Sequence, residues 1–282
     1  RYLPMMTTAA LYQVLDEAET FLDSVGHREW LHAVRLLRGT LLKYEHRYEQ
    51  ARVELEAALA LRRRDSRWGG YTLTTHLGRL GDLLVEMKAY DAAEHCFREM
   101  LEKNSDRFTR SWASQSMSTV EYGREKWGDA EYWAREALAL SHQMQVPEEL
   151  IIAYEALIDA LLGQGALEAA MPEVGAYFRA VHSAGTVENR YKFTQRMAQF
   201  RMAQARMLAG SSARLNDPLP AAMAPSPLAR RRLHSAKHWI KWAQPDADAL
   251  DRQAAIHENQ DKLAELRAQC DVLAAKFPEA TP

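Results

Sequence analysis

The chain contains 282 residues, of which 47% are apolar and 26% are charged, and its formal net charge is −2. This composition allows a large buried core and excludes a globally disordered protein. Alanine and leucine occur 45 and 34 times, whereas valine and isoleucine occur only 11 and 5 times. Because β-branched residues favour strands and Ala and Leu favour helices, we expect an all-α fold.

Taken in chain order, the glycines and prolines predict helices joined by short turns. Residues 7–25 are expected to form a first helix, and helix pairs are expected over about residues 30–182. A long helix at 187–209 is followed by a proline-rich segment at 210–227, which we predict to be a flexible loop. Two further helices are expected at 228–244 and 246–277, the second with an apolar stripe of Ala255, Leu263, Leu266, Leu273 and Phe277.

The helix pairs are predicted from a set of residues that recurs at offsets of 12, 16 and 19 positions. Two clear sets are Gly39, Ala51, Leu55, Ala58 and Gly81, Ala93, Phe97, Met100. Two looser sets are Ser118, Ala130, Ala134, Ala137 and Ile158, Ala170, Val174, Tyr177. Small residues late in one helix and early in the next let two backbones approach closely, and the large apolar residue fills the space between repeats.

At these positions the chain resembles the tetratricopeptide repeat family, and a generic helical-hairpin repeat is the alternative. Its units are spaced by 42, 37 and 40 residues, rather than the usual 34 or so, as in the repeats of bacterial signal-responsive regulators. The resemblance implies a right-handed α-solenoid of antiparallel helix pairs with a C-terminal helical extension. We therefore expect a solenoid at 1–209, a loop at 210–227, and a basic helix with a capping helix at 228–282.

The resemblance also implies that the first helix of each pair lines a concave groove that binds a peptide or a partner protein. The register of the repeats assigns nine residues to this groove: Lys43, Tyr44, Asp82, Glu86, Trp112, Gln115, Tyr122, Glu155 and Asp159. The lysine and asparagine clamp with which some members hold a terminal carboxylate is absent. Since four of the nine residues are acidic, we expect a preference for partners that carry Lys or Arg.

Positive charge is concentrated in one part of the chain. Residues 174–245 hold 12 Lys and Arg and two acids, a net of +10, whereas the rest of the chain has a net charge of −12. The predicted basic patch consists of Lys192, Arg196, Arg206, Arg230, Arg231, Arg232, Lys237 and Lys241. Such a segment binds nucleic acid, an acidic partner or an acidic part of the same chain. A regulatory module that contacts nucleic acid is therefore the alternative function, and a basic helix docked across two copies would give a homodimer.

Sequence motifs for catalysis are missing. The chain has no phosphate-binding glycine loop, dinucleotide fingerprint, nucleophile elbow or zincin motif. His234 and His238 are spaced as metal ligands, but a third ligand at suitable spacing is missing and their neighbours are basic. Cys96 is expected near the core. We therefore expect no enzyme, metal or cofactor, and a protein or peptide as partner.

Two further expectations concern location and extent. No run of about 18 apolar residues occurs, so no membrane span is predicted. With only two, widely separated cysteines the default setting is a reducing cytoplasm. The chain begins without methionine, which is consistent with a piece of a larger protein.

Overall fold

The computed structural model describes residues 8–64, 70–103, 106–184, 186–214, 217–220, 223, 226–254 and 258–277. Within these ranges the regular structure is helical and no strand occurs, so the predicted all-α fold is confirmed. The chain divides into two compact units, Arg1–Arg124 and Glu125–Pro282. Because the expected solenoid over 1–209 spans both units, its continuity stays a prediction.

Twelve α-helices are described. The first unit contains α1 Thr8–Ser24, a short 3₁₀ turn at Arg28–Trp30, α2 Leu31–Tyr44, α3 Tyr48–Arg64, α4 Gly70–Glu86, α5 Tyr90–Lys103 and α6 Arg107–Gly123. The second contains α7 Trp127–Met144, α8 Pro147–Gln164, α9 Leu167–Ala184, α10 Val187–Leu208, α11 Pro227–Ala254 and α12 Glu258–Ala275. Within each unit, consecutive helices pack against one another, as the resemblance to tetratricopeptide repeats implies.

The predicted register of the first two helix pairs is confirmed. A Cβ atom placed on Gly39 of α2 would lie 2.7 Å from Leu55 of α3, and one on Gly81 of α4 would lie 2.5 Å from Phe97 of α5. Both distances are shorter than any side chain tolerates without a shift of its neighbour. Glycine is therefore required at both positions because the helices approach so closely.

Aromatic residues that open helices make a second repeated contact. Tyr90, at the start of α5, packs its ring on Gly123 at the end of α6. In the second unit, Trp127 at the start of α7 packs in the same way on Gly163 near the end of α8. The sequence shows that an aromatic residue recurs in the turns. It does not show which glycine the ring contacts, because that glycine lies 33 to 36 residues further along the chain.

Helix α10 joins two hydrophobic cores of the second unit. One side of α10, with Phe193, Met197 and Phe200, packs into a core built mainly from α8 and α9. The other side contributes Ala198, Met202 and Ala205 to a core shared with α11 and α12. Met207, which follows Phe200 by about two helical turns, is exposed instead.

The C-terminal helices differ from the prediction. α11 continues through Pro245 to Ala254 instead of ending at 244. Proline removes one backbone hydrogen bond from a helix, yet Ala243 and Ala247 on either side of it are fully buried in the second core and keep the helix continuous. The predicted stripe of α12 is confirmed for its four described members, Leu263, Leu266, Leu273 and Phe277, and Ala255 lies outside the described residues.

The described parts of the segment between α10 and α11 are anchored by Arg206. Its guanidinium donates hydrogen bonds to the backbone oxygens of Ser212, at 2.9 Å, and Asp217, at 2.8 Å. Ala213 is buried in the first core of the unit. These contacts fix the beginning of the segment that the sequence predicts to be a flexible loop.

Two smaller predictions concern cysteines and membranes. Cys96 and Cys270 are both buried, and burial raises the pKa of each thiol to about 11. Each thiol therefore packs as a small apolar group, as predicted for Cys96. Among the described helices, none is both long and apolar enough to span a bilayer.

The register predicts the effect of enlarging Ala93. Ala93 is fully buried in α5, so Ala93→Phe should overpack the α4–α5 pair and lower the free energy of unfolding by about 1–3 kcal/mol. Ala92→Phe, at an exposed position of the same helix, is the matched control. Denaturant unfolding measures both variants, and equal stabilities would show that the assigned register is wrong.

Candidate functional site

In the first unit, three groove residues predicted from the sequence meet around one carboxylate. Asp82 of α4 accepts a hydrogen bond from Ser116 Oγ of α6 at 3.3 Å and another from the Trp112 side chain. Burial raises the pKa of Asp82, and the nearby cations Lys43 and Arg79 offset part of that rise. The first helices of the repeats, α2, α4 and α6, therefore do share a polar surface.

Trp112 is held at this surface by the shape of α4. Its ring lies directly on Gly78, where a Cβ would overlap the indole, and the Arg79 guanidinium lies 5.4 Å from the ring centroid. Gly78 therefore serves the packing of α4 against α6. A cation over an indole face contributes about 0.5–1 kcal/mol at an exposed position.

The remaining predicted residues of the first unit differ in their accessibility. Tyr44 and Tyr122 are 68% and 36% exposed, and Glu86 is also exposed. Gln115 is only 7% exposed, and its amide donates to Ser111 Oγ within α6. Tyr44, Glu86 and Tyr122 can therefore touch a partner, whereas the side chain of Gln115 faces the interior.

In the second unit, the two predicted groove acids are engaged by other side chains. Tyr177 of α9 donates a 2.6 Å hydrogen bond to Glu155 Oε1. Arg196 of α10, which the sequence assigned to the basic patch, forms an ion pair with Asp159 in which Nη1 and Oδ1 are 2.5 Å apart. Residues predicted for two separate surfaces thus form one cluster between α8, α9 and α10.

Burial controls the protonation of this cluster. It raises the pKa of Asp159 to about 6, a rise that Arg196 counteracts and that Glu155 adds to. The pKa of Tyr177 is also raised, first by burial and then by the adjacent Glu155 carboxylate. Asp159 therefore changes charge close to neutral pH, and with it the strength of its ion pair with Arg196.

The cluster lies at one end of a groove between α8, α10 and α12. A polar cavity of about 430 Å³ is lined by Glu155, Lys192, Gln195, Arg196, Gln199, Lys262, Glu265, Leu266 and Gln269. A second cavity of about 470 Å³ continues along α12 and shares Glu265 and Gln269 with the first. Its lining is more apolar and includes Met202, Pro218, Leu219, Val272 and Leu273.

The predicted basic patch is distributed over several surroundings. Lys192 pairs with Glu188 on the surface of α10, and Arg206 is only 4% exposed, where it holds the following segment. Arg230 donates to the backbone oxygen of Phe277, and Lys237 lies 3.5 Å from Asp271. The remaining members are half-buried Arg232 and exposed Arg231 and Lys241, all on α11. The eight residues thus form no single exposed patch.

The sequence did not identify α12 as part of a binding surface. Glu265, Gln269 and Val272 line the groove but were assigned to a capping helix. Continuing the alternation of first and second helices beyond residue 182 gives α10 and α12 the groove-lining role. That continuation was hidden because the recurring small residues end with the fourth set.

The comparisons with known proteins give a likeness to solved structures. No model of a known protein family matches the chain, and no curated protein matches it. Among solved structures, it is similar to a tetratricopeptide repeat protein from Parabacteroides merdae ATCC 43184, with 13% sequence identity and a TM-score of 0.44 over 93% of each chain. The assignment of the fold rests on the helix packing within each unit.

The pKa of Asp159 predicts how acid affects stability. A folded pKa of about 6, above the ordinary 3.8, means that the folded chain binds this proton more tightly than the unfolded chain does. Stability contributed by protonation should therefore grow as pH falls from about 7 towards 4. When the pH is lowered from 7.5 to 5, the free energy of unfolding of the wild-type chain should rise by about 1 kcal/mol relative to that of Asp159→Asn.

Denaturant unfolding at the two pH values measures this difference. Asp261→Asn, at an exposed position of the same unit, is the control and should follow the wild-type chain. Identical pH dependence of the wild-type chain and Asp159→Asn would contradict the raised pKa.

Proposed function

We propose that this chain is a non-catalytic interaction module that binds a segment of a partner protein in the groove between α8, α10 and α12. The observation that carries the proposal is the pair of adjoining cavities along α12. The lining residues run from Lys262 to Lys276, a helical distance of about 21 Å. A segment of roughly six extended residues has this length.

The lining of the groove indicates the composition of that segment. Its polar half contains the cations Lys192 and Lys262 and the acids Glu155 and Glu265, together with glutamine side chains. Its other half offers an apolar surface. Such a lining fits a segment that combines polar or charged residues with an apolar residue at one end.

The structure changes the expectation that partners are basic. Arg196 already pairs with Asp159, so this acid presents little uncompensated negative charge, and Tyr177 already occupies one oxygen of Glu155 with its hydrogen bond. In the first unit, Lys43 and Arg79 lie close to Asp82. We therefore favour a partner segment of mixed charge over one rich in Lys and Arg.

The same contacts favour binding over catalysis. A general acid or base must reach a proton of the substrate, whereas Glu155 and Asp159 are held by neighbours within the protein. The groove is also open and extended, which suits a peptide better than an enclosed reaction site.

A display library of ten-residue peptides, selected against the whole chain, tests the proposal. Val272→Asp should weaken the selected peptides at least about tenfold, because it places a carboxylate on the apolar half of the groove. Val53→Asp is the matched control, since Val53 is 65% exposed and Val272 is 59% exposed. Fluorescence anisotropy of labelled peptides gives both dissociation constants.

A second variant locates the site if the groove is not used. Tyr44→Asp changes the exposed surface of the first unit and should leave the affinity of the selected peptides unchanged. Peptides that resist Val272→Asp but are lost with Tyr44→Asp would contradict the groove and place binding on the first unit.

A further inference from the structure

Helix α11 presents its cations outward while its apolar side is buried. Leu233, Ala236, Ile240, Ala243 and Ala247 pack into the core shared with α10 and α12. Arg231, His238, Lys241 and Trp242 lie on the remaining, exposed side. The helix is therefore anchored by its apolar face, and its basic face is available for binding.

The positive charges of Arg201 on α10 and Arg232 on α11 repel each other where the two helices pack side by side. Arg201 donates from Nη1 to Gln204 at 2.8 Å, but its buried Nε has no acceptor among the described residues. The pKa of Arg201 is lowered, first by burial and then by the positive charge of Arg232 on α11. A half-buried guanidinium with an unused donor beside a second cation is an arrangement that an anion stabilises.

A row of aromatic rings continues from this pair along the same junction. Arg232 and Trp239 are seven residues apart, so they share one face of α11 at a separation of about 10 Å. The Trp239 ring lies 5.8 Å from Phe193 of α10 and 5.1 Å from Trp242, and Phe178 of α9 lies 5.2 Å from Phe193. Trp242 and Phe178 are 55% and 50% exposed.

We propose that this basic–aromatic edge, formed by Arg201, Arg231, Arg232, Trp239 and Trp242, binds single-stranded nucleic acid. Phosphates of the strand bind to the accessible nitrogens of Arg201 and Arg232. Bases stack on the exposed indole of Trp242 and on the ring of Phe178. Cations that follow the backbone and aromatic rings that accept bases are the two elements of such binding sites.

Other anionic partners fit these observations less well. A basic amphipathic helix binds membranes by inserting its apolar face, and that face of α11 is buried in the core. A phosphorylated peptide would satisfy the arginines but would leave the exposed rings without a specific role. A duplex hides the faces of its bases, so only its phosphates could be recognised here.

Nearby acids do not cancel the charge of the edge. Asp246 pairs with Arg190, Glu188 with Lys192, and Asp271 lies near Lys237. In the described part of the chain, no ion pair to an acid is recorded for Arg201, Arg231 or Arg232. The edge therefore keeps at least these positive charges for a ligand.

Fluorescence anisotropy with a labelled oligothymidine of about 12 nucleotides tests the proposal on the whole chain, between about 50 and 200 mM salt. The double variant Arg201→Gln, Arg232→Gln should bind at least tenfold more weakly. It should also reduce the slope of log K against log salt by roughly 1.4, the value for two phosphate contacts on a single strand. Trp242→Ala should weaken binding by about tenfold, with little change in the salt slope.

Matched controls distinguish this edge from general charge effects. Arg52→Gln with Arg98→Gln also removes two exposed cations, and Tyr132→Ala also removes an exposed ring, and both should bind like the wild-type chain. Because Trp242 is exposed, its variant remains informative even if the arginine variant is unstable.

Competing probes decide the class of ligand. Oligothymidine should bind more tightly than a duplex or than inorganic polyphosphate of equal charge. Equal affinity for polyphosphate together with no effect of Trp242→Ala would overturn the proposal. Tighter binding of a doubly phosphorylated peptide, or no binding of oligothymidine at low salt, would overturn it as well.

Discussion

The organisation of the second unit depends on one helix that is buried on two sides. α10 contributes Phe193, Met197 and Phe200 to one core and Ala198, Met202 and Ala205 to another. Only its two narrow edges remain for polar side chains. One edge carries Lys192, Arg196 and Gln199 into the groove beside α12, and the opposite edge carries Arg201 towards α11. Both proposed binding surfaces therefore follow from the way in which α10 is packed.

Charge in this unit is arranged largely by pairing within the chain. The excess of cations at 174–245 predicted nucleic acid, an acidic partner or an acidic part of the same chain as its counterpart. Arg196 pairs with Asp159 and Arg190 with Asp246, so part of this charge is met within the chain. Arg206 donates its hydrogen bonds to backbone oxygens of the following segment instead of to a ligand. What remains for binding is a smaller set of cations on α11, together with Arg201. A count of charges along a sequence cannot distinguish these roles, because each depends on which residue lies opposite.

Some of the structure could be predicted from the sequence because the signals are local or strictly periodic. The contacts of Gly39 with Leu55 and of Gly81 with Phe97 follow from a fixed offset between two adjacent helices. The continuation of α11 through Pro245 could not be predicted, because it depends on the burial of Ala243 and Ala247 against distant helices. The groove was predicted for Glu155 and Asp159, but its α12 wall was missed because no sequence repeat leads to α12.

The central claim is that partners bind between α8, α10 and α12. Amide hydrogen exchange, measured on the whole chain with and without a selected peptide, tests it most directly, because bound backbone segments open less often. The account predicts added protection in α12 and in the facing part of α10, with α2, α4 and α6 unchanged. Protection confined to α2, α4 and α6, with α12 exchanging as in the free chain, would contradict it.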